Sequence, residues 1–297
     1  MGRFGTLDMM RGLAAMAVVT YHIDRPNPLG YVAVDLFFIL SGFVLCAAYG
    51  SRSFSVGQFM RVRLIRLYPM FAVGVLVGMA IRGGNPLAFL MLPDWAHVRL
   101  YPMNTALWSV LYELIASLGF IVFYRLGFKG WLAFWLLSLG LWGWFVVNAG
   151  SSGSVGMDWA TLSVGLTRMT FAFTTGIALH WIFMRFGFRR VTNWGWAVCL
   201  ATVALTFLSA IPLWLVLFIL LPALVYLGAS LEVPQRRVAA VSGDISYPLY
   251  AIHQPIVVAF GWWSVLPLGF AAWLLDRYYD RPVRRWINRP AAKVQLA

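Results

Sequence analysis

Charged residues are scarce in this chain. Asp, Glu, Lys and Arg make up 11% of its 297 residues, against about 25% in soluble domains. With 61% hydrophobic residues and a mean hydropathy of +0.78, a water-soluble fold is excluded and a polytopic membrane protein is expected. Cysteine is nearly missing. Cys46 and Cys199 both lie in apolar segments, so there is no disulfide framework and no metal-ligand spacing, and no metal is expected. Acidic residues number 10 against 23 basic ones, a net charge of +13. No internal repeat or low-complexity tract interrupts the chain. No cleaved secretory signal is expected, because the N-terminus lacks a small-residue cleavage site and the first apolar run carries Arg11 and His22. One integral membrane domain over 1–297 is the expectation.

Long apolar runs are abundant. Windows of about 17–20 residues give ten expected spans: 8–24, 31–50, 68–82, 108–124, 131–148, 164–184, 194–209, 213–230, 245–261 and 263–278. The third and tenth are short, and the tenth holds Pro267. The 15 tryptophans suit interfacial belts. With a cytoplasmic N-terminus, the inner loops and tails carry Arg3, Arg52, Arg61, Arg63, Arg66, Arg125, Lys129, Arg185, Arg189, Arg190, Arg236, Arg237 and the basic residues from Arg277 to Lys293. The outer loops carry only Arg25, Arg82 and Arg99. This is a positive-inside pattern. It explains most of the net charge through membrane lipids rather than nucleic acid, and it sets both termini in the cytoplasm. The predicted fold is all-α: a polytopic membrane helix bundle of about ten transmembrane helices.

Only Arg11 and Arg168 remain as Lys or Arg inside spans. Burying a cation in lipid costs several kcal/mol even on lenient scales, so such a residue is a functional candidate by default. Arg11 and His22 are eleven residues apart. At about 100° per residue they share a helix face, separated along the axis by about 16 Å. One face thus carries a fixed cation near the inner surface and a titratable base near the outer one.

Other polar residues admit two readings each. Asp35, near the outer end of span two, either orients and charge-stabilises His22 or caps its own helix. Ser109 and Glu113 share a face of span four, expected in the outer half. Glu113 is either half of a structural pair with Arg168 or an acid–base partner of His22. Arg63 and Arg66 either meet lipid headgroups from an interfacial helix or clamp an anion with paired guanidinium forks. His253 lies near the midplane of span nine, where Pro255 should kink the helix; it is either a satisfied core histidine or a second functional candidate. His97 and His180 read as an outer-loop residue and part of a polar face.

Four segments together resemble the acyltransferase type 3 family of integral membrane acyltransferases. They are Leu7-Asp8-Met9-Met10-Arg11 with His22; Val34-Asp35-Leu36-Phe37-Phe38 followed by Arg63-Leu64-Ile65-Arg66-Leu67-Tyr68-Pro69; Trp108-Ser109-Val110-Leu111-Tyr112-Glu113; and Ile245-Ser246-Tyr247-Pro248-Leu249-Tyr250-Ala251-Ile252-His253-Gln254-Pro255. The resemblance implies a ten-helix bundle moving an acyl group, usually acetyl, from cytoplasmic acyl-coenzyme A to a carbohydrate hydroxyl. Its essential Arg and His map onto Arg11 and His22, its basic pair onto Arg63 and Arg66, and its Ser–Glu pair onto Ser109 and Glu113. Arg168 with Gly176 resembles the Arg and Gly of its sixth span. Asp280 stands where many members carry Glu.

The expected mechanism follows from that layout. His22 is the base or acyl relay, with Glu113, Asp35 and Arg11 as its catalytic companions. Arg63, Arg66 and Arg11 would meet the donor's phosphates. Ser109, Trp108, Arg168, Tyr247 and His253 are candidate substrate contacts. The expected partners are acyl-coenzyme A, membrane lipids and a carbohydrate or lipid-linked glycan acceptor, in a bacterial cytoplasmic membrane. A transporter using His22, Glu113 and Asp35 as relay groups is the alternative, though neither an inverted repeat nor paired broken helices support it.

Overall fold

The computed structural model describes residues 3–50, 54–148 and 155–288; Arg52, Arg289 and Lys293, counted above among the inner charges, lie outside the described residues. The helices in chain order are α1 (Gly5–Tyr21), α2 (Ala33–Tyr49), α3 (Val56–Arg82), α4 (Trp108–Asn148), α5 (Leu162–Phe186), α6 (Trp194–Leu205), α7 (Leu213–Ser230), α8 (Arg236–Phe260), α9 (Val265–Leu275) and α10 (Arg281–Ile287). Helix dominates because only helices and closed barrels satisfy every backbone polar group inside hydrocarbon. The described β-structure is one short parallel pairing, Arg190–Val191 beside Leu231–Glu232.

Six helical runs are long and apolar enough to cross a membrane: Gly30–Tyr49, Val56–Arg82, Thr105–Asn148, Trp159–Phe186, Leu213–Ser230 and Arg236–Ile287. The chain is therefore an all-α membrane bundle. Two of these runs are broken at glycine. In α4, Gly127 has φ +67 and ψ −161. The Phe123 and Phe134 rings on either side of it meet at 5.1 Å, where a straight helix would hold them about 16 Å apart. The chain therefore doubles back there, and α4 is two arms. Gly261, with φ +58, breaks the run after α8 in the same way. A positive φ costs glycine little and other residues more, so both breaks fall where glycine stands.

Several expected boundaries move; the ninth span begins at Arg236 rather than 245. The third span does not begin at residue 68 but at Val56. Arg63 and Arg66 therefore stand on a membrane helix rather than on a separate interfacial one. The seventh stops at Leu205 rather than 209, and the chain turns before Pro212.

Helix contacts are long-range in sequence. The principal partner of α1 is α8, and that of α2 is α5. At the α2–α5 crossing a Cβ on Gly42 would lie 2.0 Å from the Phe173 carbonyl oxygen, and one on Gly176 would lie 2.0 Å from that of Ile39. The two backbones touch directly, as small residues allow in membranes. Gly12 plays the same part between α1 and α8, where a Cβ would meet Ser242 Oγ at 2.0 Å. The start of α1 is pinned from the Leu231–Glu232 strand and the residue after it: Glu232 Oε2 accepts from the Gly5 amide at 2.7 Å, and Thr6 Oγ1 accepts from Val233 N at 2.9 Å.

Candidate active site

His22 is the residue that ends α1. Its Nδ1 lies 2.9 Å from the Val18 carbonyl oxygen, one turn back. A carbonyl only accepts, so Nδ1 carries the proton in this contact. That leaves Nε2 as the basic nitrogen, and it has no hydrogen-bond partner among the described residues. The His253 ring packs edge-on at 5.1 Å. His253 is itself fully buried; its Nδ1 lies 2.7 Å from the Tyr250 carbonyl oxygen, while Nε2 is unpartnered among the described residues. Asp24 and Arg25, which follow His22 and Ile23, lie in the left-handed region with φ 44 and 50. Each such non-glycine residue costs of order 1–3 kcal/mol, and strain of this kind gathers at functional sites.

Neither predicted carboxylate reaches His22. Asp35 takes Arg168 instead: Nε and Nη2 of Arg168 donate to its two oxygens at 2.8 and 2.6 Å. Arg168 also donates to the Val155 and Tyr31 carbonyls, each at 3.2 Å, and its guanidinium lies about 6 Å from the Tyr31, Trp108 and Trp142 rings. Glu113 takes Arg63, whose Nη2 donates to Oε1 at 2.7 Å while Nε donates to Ser117 Oγ at 2.9 Å. Ser41 Oγ completes this carboxylate at 3.3 Å. Glu113 therefore joins Arg63 of α3, and its partner is neither His22 nor Arg168. The expected Arg63–Arg66 clamp is divided as well: Arg63 is buried and paired, whereas Arg66 has no ion pair among the described residues. His180 is buried beside Phe43 with neither ring nitrogen bonded among the described residues, so no polar face surrounds it.

Three neighbouring cavities with shared wall residues lie in succession between Arg11 and His22, and a fourth lies beyond. The first, about 520 Å³, holds Arg11, Arg66, Asp244, Tyr247, Asp280 and Arg284 in its wall. The second, about 80 Å³, shares Arg11, Arg66 and Tyr247 with it and adds Ser41, Ser109 and Glu113. The third, about 30 Å³, shares Val34 and Tyr250 with the second and reaches His22, Trp108 and Arg168. The fourth, about 450 Å³, opens on the other side of His22 and shares Tyr21, His22, Thr105 and Met157 with the third. These cavities form a path of adjoining pockets beside the α1–α8 seam, with arginines at one end and an imidazole at the other.

The same seam explains where the remaining candidates stand. Tyr247 donates to the Leu67 carbonyl. Ser109 Oγ lies 2.7 Å from the Tyr250 hydroxyl. Tyr250 and Gln254 were not singled out from the sequence. The signal was present: Tyr247, Tyr250 and Gln254 recur three and four residues apart, which places them on one face of α8. Each lines a successive part of the path.

A family model described as an acyltransferase domain matches residues 4–275, nearly the whole path-forming chain. The chain belongs to the acyltransferase type 3 family. Protein 2 in the picA locus of Rhizobium radiobacter is 42% identical over 81 residues, covering 25% of this chain and 42% of that protein. Acyltransferase MdmB of Streptomyces mycarofaciens is 29% identical over 155 residues, covering 42% of this chain and 40% of that protein. The matches span about two fifths of the length of each of these relatives. No solved structure matches.

Proposed function

We propose that this protein moves an acetyl or other short acyl group from cytoplasmic acyl-coenzyme A to a hydroxyl of an envelope or exported glycan, with His22 as the base. The bundle would cross a bacterial cytoplasmic membrane ten times, counting both arms at Gly127 and Gly261, with both termini inside. The observation that carries the reading is the unbonded Nε2 of His22 at the far end of a path that begins between Arg11 and Arg66.

The residues fit such a donor. Arg66 has no ion pair among the described residues, and Arg11 has only the long 3.8 Å contact to Asp8, so both guanidinium groups have donors left for phosphate oxygens. Arg63, tied to Glu113, holds the wall of the path rather than the donor. Tyr247, Ser109 and Tyr250 line the narrow stretch between the arginines and His22. At its end, His22 Nε2 takes the proton from an acceptor hydroxyl as the hydroxyl oxygen attacks the acyl carbon. The carbon–sulfur bond breaks, and the proton passes from His22 to the departing thiolate. The Val18 carbonyl holds the protonated Nδ1, and so keeps Nε2 as the exchanging nitrogen. No acyl-histidine is needed.

Sidedness is the test. In inside-out membrane vesicles, labelled acetyl-coenzyme A added to the medium should label glycan enclosed in the lumen, and in right-side-out vesicles it should not. Labelling from both faces, or from neither, would overturn the proposal.

A further inference from the structure

The chain carries three arginines in its expected outer loops, and the fold brings all three to one place. Arg25 follows the strained turn after His22, Arg82 ends α3, and Arg99 lies in the loop before α4. Arg25 and Arg99 line the outer cavity of about 450 Å³ together with His22. Arg82 stands behind its wall, where Nη1 donates to Gln254 Oε1 at 3.4 Å. The Thr105 amide donates to the same oxygen at 3.3 Å. With Oε1 held by two donors, the amide nitrogen of Gln254 is left to the cavity.

The arginines come from separate segments and are set in place by different means. Arg99 is held on a short antiparallel bridge to Asp158, closed by Leu100 N to the Met157 carbonyl at 2.9 Å and Trp159 N to the Val98 carbonyl at 3.1 Å. Arg25 lies over the Tyr21 ring at 5.5 Å. Among the described residues none of the three is paired with a carboxylate. Of the acids nearby, Asp24 accepts from Trp262 Nε1 at 3.3 Å and Asp94 from the Ala96 amide and His97, while Asp158, bridged to Arg99 through the backbone, has no ion pair among the described residues. Asp24 also lines the cavity, so its wall carries two arginines against one carboxylate, and such an excess of positive charge concentrates anions. Arg3, Arg63, Arg168, Arg281 and Arg284 have carboxylate partners at hydrogen-bond distance, which the three outer arginines lack among the described residues.

We infer that the outer cavity is an acceptor site for an anionic glycan. Arg25 and Arg99 would bind a carboxylate or phosphate of the acceptor, and so set the reacting hydroxyl against His22 Nε2. Arg82 positions this site through Gln254 and does not touch the anion. The inference rests on the proposed function, since it assigns the acceptor end of the same path. A uronic acid in the glycan and a phosphate linking a glycan to its carrier present the same chemistry to the arginines.

The test uses the full chain purified in detergent. Three probes are compared by equilibrium binding at low salt: a glucuronate-containing tetrasaccharide, its carboxyl-reduced neutral counterpart, and N-acetylglucosamine 1-phosphate. The wild type should bind at least one anionic probe tenfold or more tighter than the neutral one, and the better probe identifies the source of the charge. Arg25→Gln and Arg99→Gln should each weaken that probe by roughly fivefold, the scale of about 1 kcal/mol per exposed charge contact. The double variant should bind all three probes alike. Stabilisation by coenzyme A, measured on the same samples, reports the donor end. If it is present while the wild type shows no preference for charge, binds no probe, or keeps its preference in the double variant, the anionic site is wrong and the donor assignment survives. If coenzyme A fails to stabilise the wild type, the donor assignment itself fails.

Discussion

Asp35 shows what a buried charge in this bundle is for. Both members of the Asp35–Arg168 pair are almost fully buried, with side-chain exposures of 4% and 1%. Removing one partner from such a pair leaves an uncompensated charge and costs about 3–5 kcal/mol, whereas replacing both by apolar groups is often neutral. Asp35→Ala should therefore lower the unfolding temperature of the purified protein markedly, and Asp35→Ala with Arg168→Leu should recover most of the loss. If the double variant is as unstable as the single one, the pair does more than hold α2 to α5. Residue types were legible in the sequence; partners were not. Arg11 and His22 lie on one chain segment, and helical spacing alone places them on one face. Asp35 and Glu113 find their cations on α5 and α3, across turns whose geometry no local periodicity encodes.

Elements were read with mixed success for a related reason. Apolar windows locate the helices because a backbone in lipid must bond to itself; the break at Gly127 falls in the gap between two windows and that at Gly261 on the last residue of another. The start of α3 was missed because its first turns carry Arg61, Arg63 and Arg66. Those charges lower the local hydropathy although the helix continues through them, with Arg63 paired to Glu113. The α2–α5 crossing also leaves no periodic signal. It depends on the Gly42 and Gly176 faces meeting without side chains between them. Gly176→Ala should force the helices apart and destabilise the fold by roughly 1–3 kcal/mol, the usual cost of overpacking. Gly140→Ala, where nothing lies within 4 Å of the added carbon, should not. Equal unfolding temperatures for the two variants would mean that the crossing tolerates separation.

At the scale of the whole molecule, the α1–α8 seam brings residues more than two hundred positions apart together beside one path of adjoining pockets. Arginines that lack close partners stand at its inner end, and a histidine with one committed nitrogen and one free nitrogen stands near its outer end. The sequence supplied both ends and the family, but not the seam, because that required knowing that α1 packs on α8 rather than chiefly on its neighbour α2. The account turns on His22 as the base. General-base assistance is typically worth 10²–10⁴-fold. The decisive measurement is acetyl transfer from labelled acetyl-coenzyme A to glycan acceptors by purified wild type and His22→Ala, with coenzyme A stabilisation recorded for both. The account predicts that the variant is still stabilised by coenzyme A while transfer falls by about 10²-fold or more. Transfer near the wild-type rate in the variant would contradict it.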